Sequence, residues 1–69
     1  MNIPSSKPSP YDNKMSASAE VHVLAAEGAG HRATLELTQA ENFARLIVNR
    51  ELRERTMKII LDAKKRLLP

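Results

Sequence analysis

Apolar residues fall into two regimes along the chain. In "AEVHVLAAEGAGHRATLELT", residues 19–38, Val21 and Val23 alternate with His22 and Leu24, and Leu35 and Leu37 alternate with Thr34 and Glu36. A period of two with β-branched residues predicts half-buried strands. Gly28 and Gly30 lie between the two runs, where a tight reversal favours residues that accept positive φ. This segment therefore predicts an antiparallel β-hairpin over residues 20–38, with strands near 20–26 and 32–38. Its inner face would carry Val21, Val23, Leu35 and Leu37, with Ala33 beside them.

From Thr38 onward the period changes to that of a helix. Thr38 and Glu41 have the spacing of a capping box, and neither Pro nor Gly interrupts the chain before Pro69. One helix over 39–67 is expected. Glu41–Arg45, Glu51–Arg55, Glu54–Lys58 and Asp62–Arg66 would support it at i,i+4, each with the acid first. Phe43, Ile47, Met57, Leu61 and Leu68 form one stripe, flanked by Leu46, Ile60 and Leu67. The belt "NRELRER", residues 49–55, interrupts this stripe with Arg50 and Glu54. Residues 1–19 are rich in Pro, Ser and Asn, and Pro4, Pro8 and Pro10 argue against helix there. The expected fold is α+β (ββα): a disordered arm over 1–19, then a small domain over 20–69 in which the hairpin packs on a long helix.

The lengths of these elements do not match. A seven-residue strand spans roughly 23 Å, and a helix over 39–67 roughly 43 Å. The hairpin would cover only the first half of the helix and leave Met57, Ile60, Leu61 and Leu68 as an apolar partner-binding surface. Two arrangements would remove the surplus. The helix can break near Asn49 and fold back, or two copies can pair as a homodimer.

Charge sharpens the partner's chemistry. The chain carries a net +3, made of +1 over residues 1–19, −2 over 20–38 and +4 over 39–69. Arg50, Arg53, Arg55, Lys58, Lys64, Lys65 and Arg66 would meet an acidic partner, either a protein surface or nucleic acid. Ile3, Lys7, Tyr11 and Lys14 are the arm's candidate contacts. With no cysteine, disulfides and thiolate metal sites are excluded. His22 and His31, with Glu20 or Glu27, match no metal-ligand spacing, "GAG" is too short for a phosphate loop, and the serines lie in the expected arm with no base positioned for any of them. No enzyme activity, metal or cofactor is expected. The longest apolar run is too short to span a membrane, and a cytoplasmic location is expected.

The small size, N-terminal arm and compact basic body resemble the small phage-encoded proteins that bind host RNA polymerase. That resemblance implies a non-enzymatic transcription regulator that contacts polymerase subunits and inhibits initiation or alters termination. Residues 32–66, a strand followed by helical sequence, are also similar to the ribbon-helix-helix repressors. That alternative implies a dimer whose ribbon enters the DNA major groove.

Overall fold

The computed structural model describes residues 7–68, and among them the chain is entirely helical apart from its turns. Helix α1 spans Pro10–Glu27, α2 Ala33–Arg45 and α3 Arg50–Leu67, and a single 3-10 turn at Gly30–Arg32 leads into α2.

The start of α1 is written in "SPYD". The Ser9 hydroxyl accepts the Asp12 N–H at 3.0 Å. Pro10 occupies the first turn, where its missing N–H is no loss and its fixed φ already suits a helix. The helix ends at Gly28, and Gly30 takes the positive φ of 59° that turns the chain. Asn49 caps α3, its side-chain oxygen accepting the Leu52 N–H at 2.8 Å. Lys64, Lys65 and Arg66 occupy the last turn of α3, where cations suit the negative end of the dipole.

α2 runs back along α1, and α3 returns in the direction of α1. Ser16 meets Thr56 near one end of that pair and Glu27 meets Arg66 near the other. The buried positions on α1 are 12, 15, 16, 19, 23 and 26, and on α2 they are 33, 37, 40 and 44, followed by Ile47. Apart from the adjacent pair Met15 and Ser16, these positions step by three and four and form one seam on each helix. Ala19, Ala26, Ala33 and Ala40 recur every seven residues across the turn. Six of the twelve buried hydrophobic residues are alanines, so the backbones can approach closely, and α1 against α2 is the most extensive contact. Val23, Leu37 and Ile60 fill the centre, while Met15, Ile47 and Leu52 form a second cluster that Phe43 joins to the first. The Ser16 and Thr56 hydroxyls hydrogen-bond at 2.9 Å inside the core, so neither is left unsatisfied.

The expected α+β fold is therefore corrected to three helices. The alternation at 21–24 and 34–37 is too short to separate strand from helix, and the seven-residue alanine spacing decides for helix. Val23, Ala33 and Leu37 face inward as expected, but Val21 is 61% and Leu35 52% exposed because they fall on the outer sides of helices. The glycines do mark a reversal, though it joins two helices. The boundary expected at residue 19 is absent, because Pro10 starts a helix that buries Asp12, Met15, Ser16 and Ala19. Residues 1–6, the first part of the expected arm, lie outside the described residues.

The single helix over 39–67 is also corrected. Thr38 sits inside α2, where its hydroxyl donates to the Thr34 carbonyl at 2.9 Å. The chain breaks at residues 46–49, and α3 folds back along α2. The strand on which the ribbon-helix-helix resemblance rests is helical, so that resemblance loses its ribbon.

Candidate interaction surface

The corner between α2 and α3 is braced by side chains from both α1 and α3. Two short bonds, Leu46 N–H to Phe43 O and Ile47 N–H to Ala44 O, close the end of α2. Ile47 then turns into the core, leaving its neighbours outside: Leu46 is 51% and Val48 76% exposed. The backbone of this corner would otherwise have to find water. Instead the Val48 N–H donates to Asp12 Oδ1 at 2.8 Å and the Asn49 N–H to Asp12 Oδ2 at 3.1 Å. On the acceptor side, Arg53 Nη1 donates to the Ile47 carbonyl at 2.9 Å and, more weakly, to that of Val48 at 3.4 Å. A carboxylate from α1 and a guanidinium from α3 thus hold the corner in one shape.

Asp12 is only 3% exposed. Its carboxyl is held below the ordinary aspartate value, chiefly by the Val48 N–H. Burial pushes the other way, and the Asn49 N–H and Ser9 add to the lowering. The group is charged at neutral pH, and its charge is spent inside the fold.

Several cations share this end of the bundle. Arg45 closes α2, and Arg50 opens α3 with an exposed i,i+4 pair to Glu54 at 3.1 Å. Lys14 and Tyr11 flank Asp12 on α1 and are both exposed. A projecting apolar pair, Leu46 and Val48, is therefore set among Arg45, Arg50 and Arg53, which neighbour it along the chain or bind its backbone.

The structure divides the residues expected to bind a partner. Ile60 is fully buried in the core, Met57 and Leu68 pack against it, and Leu61 is exposed. The four therefore do not form one apolar surface, because the fold-back of α3 covers most of it. Among the charged set, Arg50 and Arg53 meet at the corner. Lys64 pairs with Glu41, and Arg66 Nη2 with Glu27 Oε2 at 3.1 Å, tying α3 to α2 and α1. Arg55, Lys58 and Lys65 are exposed. Of the arm's contacts, Lys7, Tyr11 and Lys14 are exposed and Ile3 lies outside the described residues. His22 Nδ1 lies 2.8 Å from Glu36 Oε1 and its ring stacks on Phe43 at 5.4 Å between centroids, while His31 is exposed in the turn.

Asp12 and Val48 are absent from the residues singled out in the sequence, where Arg45 and Leu46 count only as a helix pair and a flank of the apolar stripe. The signal for Asp12 is the Ser-Pro-x-Asp start of a helix. Arg45, Leu46 and Val48 carry no signal until the break at Asn49 is recognised. The chain matches no family model, no curated protein and no solved structure.

Proposed function

We propose that this is a small non-catalytic regulator that works in the cytoplasm by docking on an acidic protein surface, with the α2–α3 corner as its contact. The supporting observation is the combination at that corner. The backbone is locked by Asp12 and Arg53, yet Val48 and Leu46 project outward among cations. A contact already held in its bound shape loses little entropy on docking. An apolar centre ringed by arginines is the arrangement that concentrates binding energy at protein interfaces. The net positive charge would steer the approach to an acidic partner. No helix among the described residues is long and apolar enough to cross a membrane.

The resemblance to small phage-encoded regulators makes bacterial RNA polymerase the partner of choice for a test. Binding of the full chain to immobilised, purified polymerase would be measured alongside Val48→Asp and Arg50→Glu. Both side chains point outward, so circular dichroism should be unchanged. Each variant should weaken binding at least tenfold, and higher salt should slow association of the wild type. If the wild type fails to bind polymerase at micromolar concentration, polymerase is not the partner. Equal binding by Val48→Asp removes the corner from the contact.

A further inference from the structure

The solvent side of α1 is apolar, which a helix at the edge of a solvated bundle does not require. Val21 and Leu24 are 61% and 67% exposed, and Ala17 and Ala25 are exposed beside them. Ala19, Val23 and Ala26 are buried on the opposite side, so α1 carries apolar residues on two faces, with the exposed Asn13, Glu20 and Glu27 gathered on one edge between them.

The stripe is centred on Val21, with small residues, Ala17 and Ala25, four positions to either side of it. Lys14, Ala17, Val21, Ala25 and Gly28 stand at −7, −4, 0, +4 and +7 from Val21. We propose that this face binds a second copy of the chain, α1 against α1 and antiparallel, about a two-fold axis at Val21. At 100° per residue, Leu24 and Ala17 fall on one flank of the stripe, and Ser18 and Ala25 on the other. The axis keeps like flanks together. Leu24 of each copy then lies over Ala17 of the other, large against small, and Ala25 lies beside Ser18. Lys14 reaches the carboxyl end of the opposing helix near Gly28. The last turn of α1 has no basic residue of its own, so that cation meets the negative end of the helix dipole. A foreign partner would have no need of a stripe that is its own complement, whereas an isologous dimer does. The chain already makes an antiparallel pairing on small residues, α1 against α2. Chains of this size also commonly gain stability by oligomerising.

Sedimentation equilibrium over roughly micromolar to millimolar protein should show the mass rising from 7.7 kDa toward twice that value. Val21→Asp should hold it at the monomer while circular dichroism stays helical. Because the chain has no cysteine, Val21→Cys supplies a second measurement that leaves the face apolar. Residue 21 meets itself at the axis, so mild oxidation should cross-link most of the protein, whereas Gln39→Cys on the outer side of α2 should not. A monomer at every concentration overturns the proposal. So does a dimer that Val21→Asp leaves intact, or equal cross-linking at both positions. A monomer that loses another protein on Val21→Asp assigns the face to that protein and overturns it too. None of these outcomes depends on the polymerase test, which reads Val48 and Arg50 at the α2–α3 corner and not the outer face of α1.

Discussion

Ile60 and Leu61 are neighbours of similar size, and a continuous overhanging helix would leave both on its uncovered half. In the three-helix fold they part. Ile60 is fully buried between the helices, and Leu61 is half exposed. Truncating a buried Ile to Ala removes its transfer energy and leaves a cavity, at a cost of about 2–5 kcal/mol. Six of the nine residues in its core cluster are alanines, which offer little side chain to collapse into the space, and this favours the upper half of that range. A domain with 62 described residues has a total stability of about 3–9 kcal/mol, so Ile60→Ala should remove a large share. Leu61→Ala should change stability by about 0.5 kcal/mol or less. At about 4–8 °C per kcal/mol for a domain this small, the melting temperature should fall at least about 8 °C for Ile60→Ala and only a few degrees for Leu61→Ala. Thermal and urea unfolding followed at 222 nm would measure both. Similar losses for the two variants would refute the fold-back, because they would give the two side chains equal surroundings.

Asp12→Asn should destabilise, since a neutral amide replaces a carboxylate that accepts two N–H groups, and urea unfolding at pH 7 would show a lower midpoint. Because the folded carboxyl titrates below its unfolded value near 3.8, its contribution is complete above that pH and fades as pH falls through the lower folded value. The wild type should therefore lose more stability than Asp12→Asn between pH 5 and 2. Ser16→Ala strands the Thr56 hydroxyl in the core and should cost about 1–3 kcal/mol, while adding Thr56→Val should recover most of that. A double-mutant cycle that finds the two changes additive would rule out the buried pair. Ala40→Leu should cost about 1–3 kcal/mol through overpacking at the α1–α2 seam, and a neutral or stabilising result would mean that the helices are not closely apposed there.

The positions of the reversals were legible in the sequence, but not the elements between them. Gly28 and Gly30 marked the first turn whether it joined strands or helices. Asn49 offers a place where the helix can break, yet the absence of Pro and Gly between Thr38 and Pro69 favours continuity. What settled the break is long-range. Asn49 caps α3 while Asp12, 37 residues earlier, takes its N–H and that of Val48, a partner the local sequence does not reveal. The strand reading failed because Val-x-Val and Leu-x-Leu span less than one helical turn, too little to fix a period. The alanines carried the true period, but each is a weak hydrophobic signal alone. The belt at 49–55 was legible as a boundary. Its chemistry is that of a helix start, with Asn49 as cap, Arg50 paired to Glu54 and Arg53 bracing the corner.

The alanine core also explains why so many polar contacts link distant parts of this chain. Alanine buries little area, so the hydrophobic term alone discriminates weakly between packings of similar closeness. A third helix can lie on either side of an antiparallel helix pair, and the seam of α1 and α2 is lined by small residues that do not by themselves reject one side. The polar groups do. Asp12 to the corner, Ser16 to Thr56 and Glu27 to Arg66 join residues 36–40 apart in sequence, and Glu41 to Lys64 ties α2 to the same helix. All four are satisfied only with α3 on the observed side. His22 and Glu36 bond directly between α1 and α2 and leave α3 out. Choosing the side in this way is specification against an alternative fold. It predicts that charge reversal at Glu41 together with Glu27→Lys should disturb the placement of α3 before it disturbs helix content, seen as loss of amide-exchange protection in α3 with the circular dichroism at 222 nm largely retained. A coincident loss of both would show that the apolar seam alone fixes the arrangement.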